Sequence, residues 1–133
     1  MKKNMVKIVA KTIIKLNKSV NLKKLTDSGF GGNVIEFIVH SNGSVVTQVY
    51  LKLTDGKLVV LKEPKTVNLT IMTDVDTLFR LAKDELDLET AFFMGEIEIY
   101  GSTGTTRALS FFQEMWSQMK DEIIEVAKNE EIV

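Results

Sequence analysis

The chain has 133 residues, of which 44% are hydrophobic and 26% charged, the ordinary balance of one globular α+β-sized domain spanning 1–133. It holds no Cys and a single His, so disulfides and thiolate metal sites are excluded, and zinc sites of the usual kind lack their donors. Net charge is −1 but unevenly placed: residues 1–24 carry eight Lys and no acid, a run without interleaved aromatics that speaks against nucleic acid and allows weak contact with an anionic membrane.

In chain order, Met5, Ile8, Val9, Ile13 and Leu16 recur at the 3.6-residue period of an amphipathic helix, with Lys7, Lys11, Lys15 and Lys18 on the opposite face. Like charges at that spacing repel by a few tenths of a kcal/mol per pair, so packing of the apolar face must outweigh them. The same lysines break any apolar run of a signal peptide, and nothing approaches the ~18 apolar residues of a membrane span. A cytoplasmic, soluble protein is the expectation.

Residues 26–33 form a Gly-rich loop, after which the period changes. Val34 to His40 reads as a strand, Asn42-Gly43 as a hairpin turn, and Val45 to Leu53 as a second strand with Val45, Val49, Leu51 and Leu53 facing inward. Asp55-Gly56 turns into a third strand, Lys57 to Lys62, which Pro64 ends. Val67 to Met72 is a fourth. Thr73 is the expected cap of a helix bearing Leu78, Phe79 and Ala82, and Asp87 that of a short helix, Leu88 to Met94, stopped by Gly95. Glu96 to Tyr100 alternates as a fifth strand. A long helix follows from about Thr105 to Lys128, striped by Ala108, Leu109, Phe112, Met115, Trp116, Met119, Ile123 and Val126 or Ala127. The economical architecture is one antiparallel or mixed sheet with helices over one face.

Chemistry-bearing patterns are few. His40, the only imidazole, lies at a strand end beside a turn, where solvation competes with a general-base role. Glu96 and Glu98 share a strand face, and Asp84 stands near Asp87; paired acids and solvated acids both fit that spacing. Gly101 to Gly104 follows a strand and opens a helix, as an anion-binding turn does, but lacks the Gly-Lys-Ser/Thr end of a phosphate loop. No nucleophile–base pair is visible, and an enzyme with its own catalytic apparatus is not expected. The excess is apolar. Phe92-Phe93-Met94 and Phe111-Phe112 place consecutive bulky residues on helices, and one helix face cannot bury them all. Either the core is wide or the fold leaves a cavity, which Met and Phe line well.

Leu69-Thr70-Ile71, Asp74 to Phe79, Leu86-Asp87 and the run Ala91-Phe92-Phe93-Met94-Gly95-Glu96-Ile97-Glu98-Ile99-Tyr100-Gly101 resemble the sterol carrier protein type 2 family. The resemblance implies a five-stranded, mostly antiparallel or mixed sheet with helices over one face, an α/β sandwich. It also implies an apolar tunnel between sheet and helices that accepts sterols, fatty acids or fatty acyl-CoA, without catalysis or cofactor. By motif position the liners are Phe79, Leu86, Phe92, Phe93, Met94, Ile97 and Ile99, with Phe112, Met115, Trp116 and Met119 as a cover. Thr70, Tyr100 and Ser102 are the nearest polar groups for a headgroup. The rival reading is an interaction or dimerisation module of the same fold, with Phe111 and Trp116 facing a partner.

Overall fold

The alternating strands and striped helices assemble, in a computed structural model that describes residues 2–25, 32–101 and 104–132, into one sheet with its helices on one side. The elements are α1 (Lys2–Leu16), α2 (Val20–Leu25), β1 (Val34–Ser41), β2 (Ser44–Thr54), β3 (Lys57–Leu61), β4 (Leu69–Asp74), α3 (Val75–Ala82), α4 (Leu88–Phe93), β5 (Glu98–Gly101) and α5 (Thr105–Ile132). The sheet order is β3-β2-β1-β4-β5. β1 pairs with β4 in parallel and all other pairs are antiparallel, so the sheet is mixed.

Period two sorts the sheet's two faces. Ile35, Phe37, Val39, Leu51, Leu53, Leu69 and Ile71 are buried beneath the helices. Glu36, Gln48, Tyr50 and Thr70 lie on the outer face, where Glu36 accepts from Gln48 Nε2 at 2.6 Å and from Thr70 Oγ1 at 2.9 Å. The helix stripes meet the inner face with one exchange in α5: Leu109, expected in the stripe, is half-buried, and Phe111, outside it, is fully buried. Met5, Ile8, Val9, Ile13 and Leu16 of α1 are buried, as are Ala108, Phe111, Phe112, Met115, Trp116, Met119, Ile123 and Ala127 of α5. Phe37 and Phe112 meet across the seam with ring centroids 6.3 Å apart.

The lysine repulsion expected in α1 is relieved from outside the helix: Lys11 and Lys15 both reach Glu122 of α5, at 3.8 and 3.7 Å. At the edge of the sheet Asn17 donates to the Leu58 carbonyl and accepts from its N–H at 2.7 Å, occupying the outward backbone groups of β3 at that residue.

Four other local expectations change. Val45 is 47% exposed and Val46 is 8% exposed, because β2 carries a bulge: Val39 faces Thr47 while His40 faces Val45, and the extra Val46 reverses the alternation. Thr73 lies within β4 and is not a cap; its hydroxyl donates to the Glu96 carbonyl, and Asp74, the last residue of β4, caps α3 by accepting from Thr77 N at 2.7 Å. The fifth strand starts at Glu98 rather than Glu96. A short helix, α2, occupies Val20–Leu25, where only Leu22 is fully buried and no periodic stripe announces it. The Gly-rich loop falls largely outside the described residues. The expected type of turn does form at Asn42-Gly43, with φ of 53° and 80°.

Gly101 has φ of 133°, and a Cβ there would stand 2.1 Å from the Asn68 carbonyl oxygen. Gly101→Ala is therefore expected to lower stability by about 3 kcal/mol or more, read as a fall in the urea midpoint. Asp87 caps α4 by accepting from Thr90 N, and that bond holds its carboxyl below the usual carboxylate range. A depressed folded value means that this stabilisation is complete above the unfolded-state value and disappears as pH falls through the folded one, that is, below about pH 4. Asn also caps well, so Asp87→Asn should keep the helix while flattening the urea midpoint's dependence on pH in that range.

Candidate functional site

Three hollows among the described residues bear on function. The first lies between α4 and α5 and measures about 360 Å³; Leu88, Leu109 and Phe112 form its apolar lining, with Asp87, Glu89 and Gln113 at the rim. Phe112, which lines it, also meets Phe37 of β1, so one ring is shared between the hollow and the seam of helix and sheet. α4 is short, capped at Asp87 and reversed at Gly95, where φ is 77°. Ala91 anchors it: this residue is fully buried, and its carbonyl accepts from both Glu96 and Ile97.

Of the expected liners only Phe112 lines this hollow, and the set divides by depth. Ile97, Phe112, Met115, Trp116 and Met119 are buried in the common core. Phe79, Leu86 and Ile99 are partly buried and packed against it, and Phe92 is half-buried. Phe93 and Met94 stand outside, 83% and 65% exposed. Phe92 and Phe93 contact each other with centroids 5.9 Å apart, so the ring pair runs from the half-buried layer into solvent. Phe111 and Trp116, the residues expected to face a partner in the interaction-module reading, are both buried. Of the polar candidates, Thr70 and Tyr100 pair across β4 and β5, and the Thr70 hydroxyl is taken by Glu36 on the face away from the helices. Tyr100 is exposed, and its phenol is pushed up by a hydrogen bond to Glu98. Ser102 lies outside the described residues.

The second hollow was not legible in the periodicity. A groove of about 630 Å³ runs between α1 and the sheet, lined by Val6, Val9, Ala10, Ile13, Ile14, Val45, Val46, Thr47, Gln48, Val49 and Val60. Its walls come from α1 and from β2 and β3, far apart in sequence, and the bulge at Val46 sets which valines of β2 face it. The one available signal was that Val6 and Ile14 lie off the buried stripe of the first helix.

The third hollow, about 500 Å³, is polar: His40, Asn42, Gly43, Thr73, Asp74, Asp76, Glu96 and Glu98 line it. Its acids are already engaged in structure. Asp74 caps α3, and Glu96 pairs with Arg80, which holds the guanidinium value up. Glu96 and Glu98 therefore do not act as a matched pair: one is half-buried in an ion pair, the other exposed. Asp84 and Asp87 also separate, the first reaching Lys120 at 3.7 Å and the second capping α4. Among the described residues no three His, Cys, Asp or Glu side chains gather as a metal site. No described helix is long and apolar enough to cross a membrane.

The chain's likeness to known proteins agrees with this architecture. No curated protein matches it in sequence. Among solved structures it is similar to the ubiquinone synthesis protein UbiJ-SCP2, at 19% identity and a TM-score of 0.57, over 85% of this chain and 93% of that one. It is similar to sterol carrier protein 2 of Yarrowia lipolytica in its apo form, at 12% identity and a TM-score of 0.56, over 86% and 89% of the two chains. Sterol carrier protein-2 like-3 of Aedes aegypti aligns at 17% identity and a TM-score of 0.54, over 85% and 97%. At these identities the likeness is one of fold, a five-stranded mixed sheet under helices. The sequence itself matches the family described as SCP-2 sterol transfer over residues 10–114, most of its length, and the chain belongs to that family.

Proposed function

We propose that the chain binds an apolar lipid and transfers it unchanged, holding a fatty acid, a fatty acyl-CoA or a sterol-like molecule between its sheet and its helices. The observation that carries this reading is the α4–α5 hollow, one of whose lining residues, Phe112, is also the ring that α5 lays on the sheet. A chain entering there needs only the outward shift of a six-residue helix with one fully buried side chain, Ala91. It then meets the half-buried layer of Phe79, Leu86, Phe92 and Ile99, with Ile97, Met115, Trp116 and Met119 behind. Phe93 and Met94 at the end of α4 form the outer lip.

Burying a methylene is worth about 0.8 kcal/mol, so roughly ten contribute on the order of 8 kcal/mol. Association costs subtract at least several kcal/mol, which leaves micromolar affinity with weak discrimination among chain lengths. Headgroup selectivity is low in this reading, because Thr70 and Tyr100 face away from the helices. No group in the site serves as a nucleophile with a base beside it, and the reading includes no catalytic step and no cofactor. The exposed lysines of α1 add a weak electrostatic contact with anionic membrane at about 1 kcal/mol per residue near the surface.

Trp116, the only tryptophan, reports on the seam. Its emission is expected to shift on titration with palmitate, saturating in the micromolar range. Leu109→Glu, which places a charge on the half-buried wall of the hollow, should weaken that titration by tenfold or more while the far-UV spectrum holds. A flat titration in the wild type, together with no lipid in native mass spectra of the purified protein, would count against the site.

A further inference from the structure

The large groove beside α1 is left without an occupant by the lipid reading, and the exposed end of α4, which that reading leaves at the outer mouth of its site, complements it. The groove is aliphatic, with Val6, Ile14, Val45 and Val60 exposed along it. Lys3 and Lys7 stand one helical turn from Val6 and Ala10 on its solvent flank. Lys11 and Lys15 are engaged by Glu122, whereas among the described residues no acid reaches Lys3 or Lys7. The groove is thus an apolar slot with a basic rim.

Phe93 and Met94 make the converse shape. They are the two most exposed large apolar side chains of the α4–β5 end of the molecule, and they are adjacent in sequence. Glu89 precedes Phe93 by one helical turn, and Asp87 and Glu98, both exposed, flank the segment. This is an apolar knob with an acidic rim.

The sheet order keeps the two apart. The groove is built on β2 and β3 at one end of the order β3-β2-β1-β4-β5, and α4 leads into β5 at the other. One chain cannot fill its own groove. We propose that the groove receives the Phe93–Met94 knob of a second copy of this chain, so that the protein self-associates head to tail. Apolar burial supplies the contact, and the opposed rims set its direction, Lys3 and Lys7 facing Glu89 and Glu98. A heterologous contact of this kind leaves a free knob and a free groove at the ends, so it continues beyond two copies unless the rotation closes a ring. A contact resting on two anchor side chains is weak and demands high protein concentration.

Sedimentation velocity of the wild type over a wide range of concentration tests this directly. The expected result is a mass that rises past the dimer, with association weakened by salt. Knob variant Phe93→Asp/Met94→Asp and groove variant Val6→Asp/Ile14→Asp alter exposed positions only, and each should weaken self-association about thirtyfold or more. The decisive sample is their equimolar mixture. One variant keeps the groove and the other keeps the knob, so the mixture should form a dimer and stop there. Circular dichroism of each variant separates loss of contact from loss of fold. The proposal is overturned by a wild type that stays monomeric at every concentration, by a dimer indifferent to either variant, or by a mixture that fails to pair. It is equally overturned if the groove variant loses only its binding to phosphatidylserine vesicles and keeps the wild-type mass, since the groove then serves a membrane.

Discussion

The seam between α5 and the sheet is the constraint from which the other features follow. A period of 3.6 along the helix and a period of two along β1 and β4 must present apolar groups at matching heights, and Phe37 and Phe112 are where the two periods coincide. Rings of this size buried on both sides are each worth about 3–5 kcal/mol against alanine, a large share of the 5–15 kcal/mol that holds a domain together. α1, α2 and α3 then find their places against a surface that α5 has already defined. Lys11 and Lys15 reach Glu122, Ser19 and Asn21 reach Glu114, and Lys120 reaches Asp84.

The same seam explains why the apolar hollows lie at its margins. Where α5 meets the sheet, the large side chains Phe37, Phe111, Phe112 and Met115 are buried against one another. Where a short element covers the join, closure is incomplete. α4 has six residues and one fully buried side chain, and a hollow lies beneath it. α1 leans on the β2–β3 edge with branched aliphatic residues, and a longer groove lies there. In the lipid-carrier function proposed above, such incomplete closure has a use, since a carrier must open without unfolding. The polar hollow at His40 is of another kind, because its acids are spent on a helix cap and on the Arg80 ion pair.

Much of the fold was readable from residue order. The stripes of α1 and α5, the Asn42-Gly43 and Asp55-Gly56 turns, and the Asp87-to-Gly95 limits of α4 all express local rules of period, capping and positive φ. Of the site, the apolar excess between Phe79 and Met119 was readable as an excess, but not its division into core, half-buried layer and bare lip. Phe92 and Phe93 are neighbours of identical type, and only the direction of a two-turn helix against its surroundings decides that one is half-buried and the other exposed. Thr73 satisfies the composition of a cap as well as Asp74 does; the strand hydrogen bonding that carries β4 one residue further makes the choice.

Residue order settled most of the secondary structure, the buried faces of most elements and the family, because these depend on spacings of a few residues and on short runs such as Ala91 to Gly101. The tertiary structure alone decided the parallel pairing of β1 with β4, the bulge that turns Val46 inward, and the groove between α1 and β2. The strand pairing and the groove join residues dozens of positions apart, the bulge lies between two strands of a hairpin, and the energy of each comes from pairwise fit, which no local period records.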